Sequence, residues 1–553
     1  MQDPTDARRP VAGVSRLATA LQLAASLLGV LQWVVLAFAL QCIADGGGLH
    51  ALVPWALALL AVAAARIGLD AWGRRRAFVA ARLQLSRWRA QALDAWLATS
   101  PLDARRPHAG QLAHELAEQA EAVLPYLAKV DIALWRVRCV PLAILALVAW
   151  WSWAAALVLL LAAPVVPLFM ALVGWRAQAA SEAQMDEAGQ QGALLLDRLR
   201  GLATLRALGA VDAAARRLAA QSARLHRRTM AVLRIAFVSS AVLELFASLG
   251  VAMVAVYVGF HLLGSIGFGA WGRRLSMGEG LMVLMLAPAY FEPLRELAAA
   301  WHERAAGRAA LAALLRLARP GAPLAAAAPA GAGAAPDELP VEIEGLRFAH
   351  AGAAAACLVD FSVHIPAGQH VALTGANGSG KSSLLALIAG LARPDAGTLR
   401  IGGLGWDDAS AALLRERIGW IGQQPAFVAR SVHANLALGR AGDVPAALQA
   451  VGLAAIAPAA GLGEGGLGLS GGEARRLALA RALLDPRCRL VLADEPTAHL
   501  DDATAGLLIE RLLEAAAGRT LIVATHDPRL VRRMHRVLCL DAVAPAPARE
   551  VAA

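Results

Sequence analysis

The chain has 553 residues, more than one compact core accommodates, so two or more domains are expected. Hydrophobic residues make up 58% and charged residues 17%, and the mean hydropathy is +0.54, a balance that excludes an ordinary soluble protein and points to membrane-spanning helices. The net charge of +10 does not mark a nucleic-acid binder: Arg74, Arg75, Arg76, Arg82, Arg87, Arg89 and later Arg216, Arg217, Arg224, Arg227 and Arg228 crowd beside apolar stretches, where membrane proteins carry their cytoplasmic positive charge.

The first stretch, MQDPTDARRPVAGVSR, lacks the compact apolar segment and small-residue cleavage site of a signal peptide, so the apolar run after it reads as a retained helix. Leu17 to Ala44 is free of charge and forms the first expected span. Leu49 to about Trp72 forms the second, interrupted by Arg66 and Asp70, four apart and able to pair on one helix face. Cys139 to Gly174 is too long for one crossing; Trp150, Trp151 and Trp153 near its middle divide it into a third and fourth span joined by an outer turn. Ile235 to about Leu263 is the fifth span, with Glu244 its only acid. Met277 to Ala300 is the sixth, where hydropathy alone gives the weakest signal.

The long segments 73–131 and 176–231 are arginine-rich and mix Ala, Leu and charge as helices do, whereas Asp45-Gly46-Gly47-Gly48 carries no basic residue. Both termini are therefore expected on the cytoplasmic side, with Arg273-Arg274 a local exception in an outer loop. The inner segments around Asp103–Glu118 and Gly209–Leu218 are long enough to reach a soluble domain. Residues 318–340, ARPGAPLAAAAPAGAGAAPDELP, read as a linker that cannot build a core. Beyond it, β-rich runs alternate with helical ones, the pattern of an α/β domain with a mainly parallel sheet. The expected organisation is a helical membrane domain over 1–317, a linker over 318–340, an α/β domain over 341–541 and a tail over 542–553. Five scattered cysteines, Cys42, Cys139, Cys357, Cys488 and Cys539, suggest neither a disulfide framework nor a zinc site.

Gly375-Ala376-Asn377-Gly378-Ser379-Gly380-Lys381-Ser382, followed by Ser383, fits the phosphate loop G-x-x-x-x-G-K-S between a strand and a helix. Its backbone N–H groups would cradle phosphates, Lys381 would reach the β- and γ-phosphates of ATP, and Ser382 would ligate Mg²⁺. Leu490-Val491-Leu492-Ala493-Asp494-Glu495 is an apolar strand ending in two acids, Asp494 placed to hold Mg²⁺ through water and Glu495 to polarise the attacking water.

With Leu469-Ser470-Gly471-Gly472-Glu473 ahead of the helix ARRLALARALL, the chain resembles the ABC transporter family, in which Gln is the commoner residue at the place of Glu473. The resemblance covers about 341–541 and implies further roles: Gln423 as the glutamine that senses Mg²⁺ and the membrane domain, Asp501 as the D-loop aspartate, His526 as the switch histidine. It also implies that each ATP lies between the phosphate loop of one ATPase domain and the Ser470–Glu473 signature of a second, so that one chain is half of a machine. Where the family stacks an aromatic ring on adenine, this chain offers His350, with Phe348 nearby.

Residues 201–209 (GLATLRALG), 290–297 (YFEPLREL), 301–305 (WHERA) and 494–501 (DEPTAHLD) further resemble the D subunit of the bacterial thiol-reductant exporters. That resemblance implies an inner-membrane heterodimer with a CydC-like half-transporter subunit, export of cysteine or glutathione to the periplasm, and support of cytochrome bd assembly. It also supports the sixth span. An anionic thiol would call for cationic groups, for which Arg136, Arg138 and Arg234 are candidates, although anchoring at the inner interface is the favoured role for them. The alternatives are a homodimeric lipid or drug exporter of the same architecture, and a membrane-tethered nucleotide-binding regulator. The joint presence of Asp494, Glu495 and His526 argues against the regulator.

Overall fold

Runs of Ala, Leu and Val without turn residues have nothing to stop a helix once begun. In the computed structural model, which describes residues 12–107, 109–164, 198, 201–319, 321–324, 336–351, 353, 355–407 and 410–540, they form helices much longer than one bilayer crossing. Helix α1 spans Ala12–Ala44 and α2 spans Leu49–Leu97. At 1.5 Å per residue, the 49 residues of α2 extend over twice the ~30 Å hydrocarbon layer. The arginine-rich stretch after Trp72 therefore continues the second helix out of the membrane. A short α3, Ala109–Ala117, and a tight 3₁₀ and π-helical segment over 119–130 lead into α4, Asp131–Trp151, and α5, Trp153–Ala162. The break between them is Ser152, in extended backbone, whose Oγ caps α5 by accepting from the amide of Ala155 at 3.2 Å. The turn thus falls among the three tryptophans, as expected. The rest of the apolar run to Gly174 and the inner residues 176–197 lie outside the described residues. Then follow α6, Leu202–Ala207, α7, Val211–Leu262, and α8, Met277–Leu317.

Among the described residues, four helices are long and apolar enough to cross a membrane: α1, α2, α4 with the turns before it, and α7. Helix α8 is too polar to join them by composition, yet Met282, Val283, Leu286, Ala287, Tyr290 and Phe291 are buried in one cluster with residues of α1, α4, α5 and α7. Its apolar stripe faces the bundle, and its charges lie around the rest of its circumference.

Several charges in this bundle are paired across helices. Arg66 and Asp70 do not pair with each other, as their spacing allowed. Arg66 donates to Gln32 of α1 at 3.0 Å, beside Gly29, which leaves room for the guanidinium, and Asp70 takes Arg74 at 2.8 Å, one turn further toward the inner end. Arg136 donates to both oxygens of Glu296 at 2.8–2.9 Å and approaches Asp70 at 3.7 Å, tying α2, α4 and α8 together. It is not a free cation facing a substrate path. Arg138 lies over Trp135, and Arg234 is exposed.

At one end of the bundle, the loop after α7 and the start of α8 are tied to the other helices: Gly278 donates to Gln41, and Ser152 Oγ donates to the carbonyl of Gly269 at 2.9 Å. Arg273 in this loop stacks over Trp151 and lies 3.8 Å from Glu279, which offsets the positive charge that departs from the inside-positive pattern.

These helices form one unit, residues 1–90 with 110–316; a second contains 91–109 with the chain from Leu317 onward. Within the second, β1 (Val341–Phe348) pairs antiparallel with β2 (Leu358–Ile365) and with β4 (Ala396–Ile401), which pairs with β5 (Leu404–Gly405). A five-stranded sheet takes the order β6-β7-β8-β3-β9 from Ile418–Ile421, Leu490–Asp494, Thr520–Ala524, His370–Thr374 and Arg536–Cys539. All of its pairings are parallel. Every residue of β7 and β8 is buried, which explains why both read as unbroken apolar runs. Ligands of such sheets bind at the C-terminal strand ends, where the chemistry-bearing residues gather here.

Candidate active site

Strand β3 ends at Thr374 and the chain turns through Gly375, Gly378 and Gly380, all at positive φ, into helix α9, Lys381–Ile388. A Cβ at Gly380 would come within 3.0 Å of the Cys357 carbonyl and 3.1 Å of Leu358, so φ and space both demand glycine there. The loop places the α9 N-terminus over a cavity of about 490 Å³. Lys381 folds back across it, its Nζ donating to the carbonyls of Gly375 (2.7 Å) and Ala376 (2.9 Å). Ser379 Oγ, buried in the loop, has no partner, as fits a group awaiting a phosphate oxygen.

Strand β7 delivers Asp494 beneath the loop, where it accepts from Ser382 Oγ at 3.1 Å. Burial pushes the Asp494 carboxyl above its ordinary range, opposed by the Ser382 bond and the Lys381 charge. A buried acid next to a hydroxyl and a phosphate cradle fits a magnesium ion shared with phosphate oxygens, which rarely has an all-protein cage. Among the described residues, no group of three or more His, Cys, Asp or Glu is arranged to hold a metal by itself. Glu495, the next residue, takes φ +48, a left-handed conformation that a non-glycine residue adopts only when its surroundings enforce it. Its amide donates to the Ala524 carbonyl at 2.9 Å, and its carboxylate lies 3.6 Å from His526 Nε2, just past β8. Gln423, past the end of β6, lines the same cavity.

His350 also lines the cavity, with its ring edge-on to Phe348 at 5.2 Å and its Nε2 2.9 Å from Ser383 Oγ. The imidazole is thus tied to the phosphate-loop helix.

The sequence-expected set divides in two. The phosphate loop, Gln423, Asp494, Glu495, His526 and His350 converge on one cavity, whereas Ser470–Glu473 and Asp501 do not line it. Ser470 instead caps helix α10, Gly471–Leu483, in a capping box: Ser470 Oγ accepts from the Glu473 amide (3.2 Å), and Glu473 accepts from the Ser470 amide (2.8 Å). Those bonds hold the Glu473 carboxyl below its ordinary range. Asp501 caps α11, Asp502–Ala515, through the amide of Thr504. A Cβ at Gly472 would meet Thr504 at 2.7 Å, so the signature glycine allows these two helix starts to touch.

Sequence reasoning missed three residues. Cys357 and Ala498 line the cavity. Cys357 is placed by the β1–β2 pairing, where its amide donates to the Phe348 carbonyl, and no local pattern announces that register. Arg481 on α10 donates to the carbonyls of Asn435 and Ala426, both at 2.8 Å, and lies over Phe427, fixing the segment that follows Gln423. Its position on the buried, leucine-rich side of a helix was the available signal.

Residues 358–498 match the family model described as "ABC transporter", and residues 16–294 match "ABC transporter transmembrane region". The chain is 36% identical over 474 residues to the glutathione/L-cysteine transport system ATP-binding/permease protein CydD of Escherichia coli K12, covering 84% of this chain and 78% of that protein. It is 34% identical to the same-named protein of Haemophilus influenzae over 488 residues, 86% of this chain and 82% of the relative. CydC of Bacillus subtilis, described for the same transport system, is 28% identical over 90% of this chain and 87% of its own length. The fold is similar to a solved bacterial Atm1-family ABC exporter with ATP bound, with a TM-score of 0.75 at 20% identity, over 98% of this chain and 94% of that one.

Proposed function

The chain belongs to the ABC transporter family, as a multi-pass membrane protein with an ATPase domain coupled to transport, and from that premise we propose that it exports cysteine- or glutathione-type thiols. For the cargo, the carrying observation is the similarity to the two CydD proteins over most of the chain. For hydrolysis, it is the convergence of Glu495, His526, Lys381 and Asp494 on one cavity.

In this reading, the loop amides and Lys381 bind the β- and γ-phosphates, in a site whose donors are oriented before nucleotide arrives. Ser382, Asp494 and Gln423 would hold Mg²⁺, which when bound offsets phosphate charge. Glu495 orients a water for attack on the γ-phosphorus and takes up its proton, while His526 steadies Glu495 and the γ-phosphate. His350 packs against the base. The signature Ser470–Glu473 and Asp501, held away from this cavity, serve the cavity of a second half-transporter, a CydC-like subunit in the same bilayer. The bacterial inner membrane, with termini and ATPase domain cytoplasmic, is the location that the arginine distribution favours.

The test is uptake of labelled glutathione and cysteine into inside-out vesicles containing this chain and its CydC-like partner. ATP-dependent accumulation, abolished by Glu495→Gln, is the expected result. Accumulation of lipids or apolar drugs with no thiol movement would overturn the cargo assignment in favour of a lipid or drug exporter.

A further inference from the structure

Within the second unit, the chain leaving α2 is stitched to the chain leaving α8. Thr99 lies opposite Pro323 in an antiparallel bridge, flanked by hydrogen bonds from Leu324 N to the Ala98 carbonyl (2.9 Å) and from Ser100 N to the Ala322 carbonyl (2.8 Å). The Thr99–Pro323 pair makes no bond of its own, so proline sits there without losing a donor. Side chains close the seam. Asp103, its side chain 1% exposed, accepts at Oδ2 from the Ala322 amide (2.9 Å) and at Oδ1 from the Arg105 amide (2.9 Å). The Ala322 amide is the largest influence holding its carboxyl below the ordinary range, against the effect of burial. Thr99 Oγ1 accepts from Gly321 N at 3.3 Å, and a Cβ on Gly321 would approach Asp103 Oδ2 to 2.9 Å. The stitched tip is in turn fixed to the ATPase core: Ser100 Oγ donates to the Leu391 carbonyl at 2.6 Å, and Leu102 packs on the core cluster.

We propose that Asp103 is a positioning residue, the pin of a clip that makes the tip after α2 a fixed part of the ATPase unit, so that ATP-driven movement reaches α2 without slack. Helix α2 is continuous from Leu49 to Leu97, while the grouping into units changes at residue 91, so a displacement of the tip is carried along one rigid rod. The Ser100–Leu391 bond alone would act as a pivot. Two further backbone bonds and a buried carboxylate convert the pivot into a joint held at several points. The inference rests on ATP-coupled transport and is independent of the cargo.

The test is hydrogen exchange on the full heterodimer in lipid, with and without ATP plus vanadate, which needs no transported substrate. In the wild type, trapping should change exchange both in the phosphate loop and in the membrane part of α2. Asp103→Ala should keep the first change and lose the second. On that background, with the five native cysteines replaced by alanine, an oxidised Thr99→Cys/Pro323→Cys pair should restore the α2 response, and reduction should remove it. Opposed Cα atoms at such a pair lie about 4.5 Å apart, within reach of a disulfide. An unchanged α2 response in Asp103→Ala, or a loss that the disulfide does not repair, overturns the proposal. If Asp103→Ala fails to assemble, Gly321→Ala is measured in its place, and loss of ATP binding there too would assign the contact a purely structural role. Because thiols are absent, a wrong cargo assignment leaves this result untouched.

Discussion

At the scale of the residue, Glu495 is the most informative position. A carboxylate held at φ +48, pinned through its amide to Ala524 and 3.6 Å from a histidine, is conformationally costly and has no structural need to be glutamate. Glu495→Gln keeps the shape and removes the base. Mg-ATP binding should persist while turnover falls by about a hundredfold or more, the usual worth of a positioned general base. Bound nucleotide and phosphate release measured together check this; weak binding with normal release per bound ATP would contradict the role. His350 makes a second case, because base stacking on an aromatic ring is worth ~1–3 kcal/mol and imidazole is the smaller platform. His350→Tyr should tighten ATP several-fold in equilibrium binding, and an unchanged affinity would remove His350 from the base site.

At the scale of the element, local patterns specify helix starts well. The Ser470–Glu473 capping box needs only an acceptor at the fourth position, so Glu473→Gln should leave ATPase activity and melting temperature close to wild type, and a large loss of either would show that the charge matters. His370, at the start of β3, stacks on His535 at 4.8 Å and bonds the Ala516 carbonyl. Burial, with His535 adding to it, lowers its pKa, so the folded state prefers the neutral ring. The sign follows: stability is complete above the ordinary histidine pKa of about 6.5 and declines as pH falls below it. Thermal unfolding of the purified chain between pH 7.5 and 5 should show the decline, and His370→Gln should flatten it. The phosphate loop, the acid-ended β7 and the tryptophan turn were legible because each depends on neighbours in sequence. The helical character of 73–97 was legible in its mix of Ala, Leu and charge, but its continuity with the second span was not, and the burial of α8 was obscured because its apolar stripe is interrupted by Arg295 and Glu296, whose partners Glu244 and Arg136 lie on other helices. Arg66 leaves the expected Arg66–Asp70 pair for the same reason, since i,i+4 spacing cannot register the Gln32 that a neighbouring helix offers, while Asp70 keeps an i,i+4 partner in Arg74.

At the scale of the molecule, the proposed orientation rests on the arginine asymmetry of the segments between the spans. In a cysteine-free background, Gly48→Cys should react with an impermeant reagent applied from the periplasm, and Ala113→Cys, exposed on α3, only after permeabilisation. Reversed labelling would place the ATPase domain on the wrong side. The cavity and the signature residues of one chain do not meet; in the proposed assembly of two half-transporters, coupling is a free energy shared by the ATP and cargo sites. A cargo that favours the closed state must therefore raise the apparent affinity for ATP. The most direct measurement is ATP hydrolysis by the heterodimer in lipid as glutathione or cysteine is titrated. Thiols should stimulate hydrolysis saturably, and Gln423→Ala should weaken that stimulation more than the basal rate; no thiol response in an ATP-active heterodimer that apolar drugs or lipids stimulate strongly would contradict thiol export.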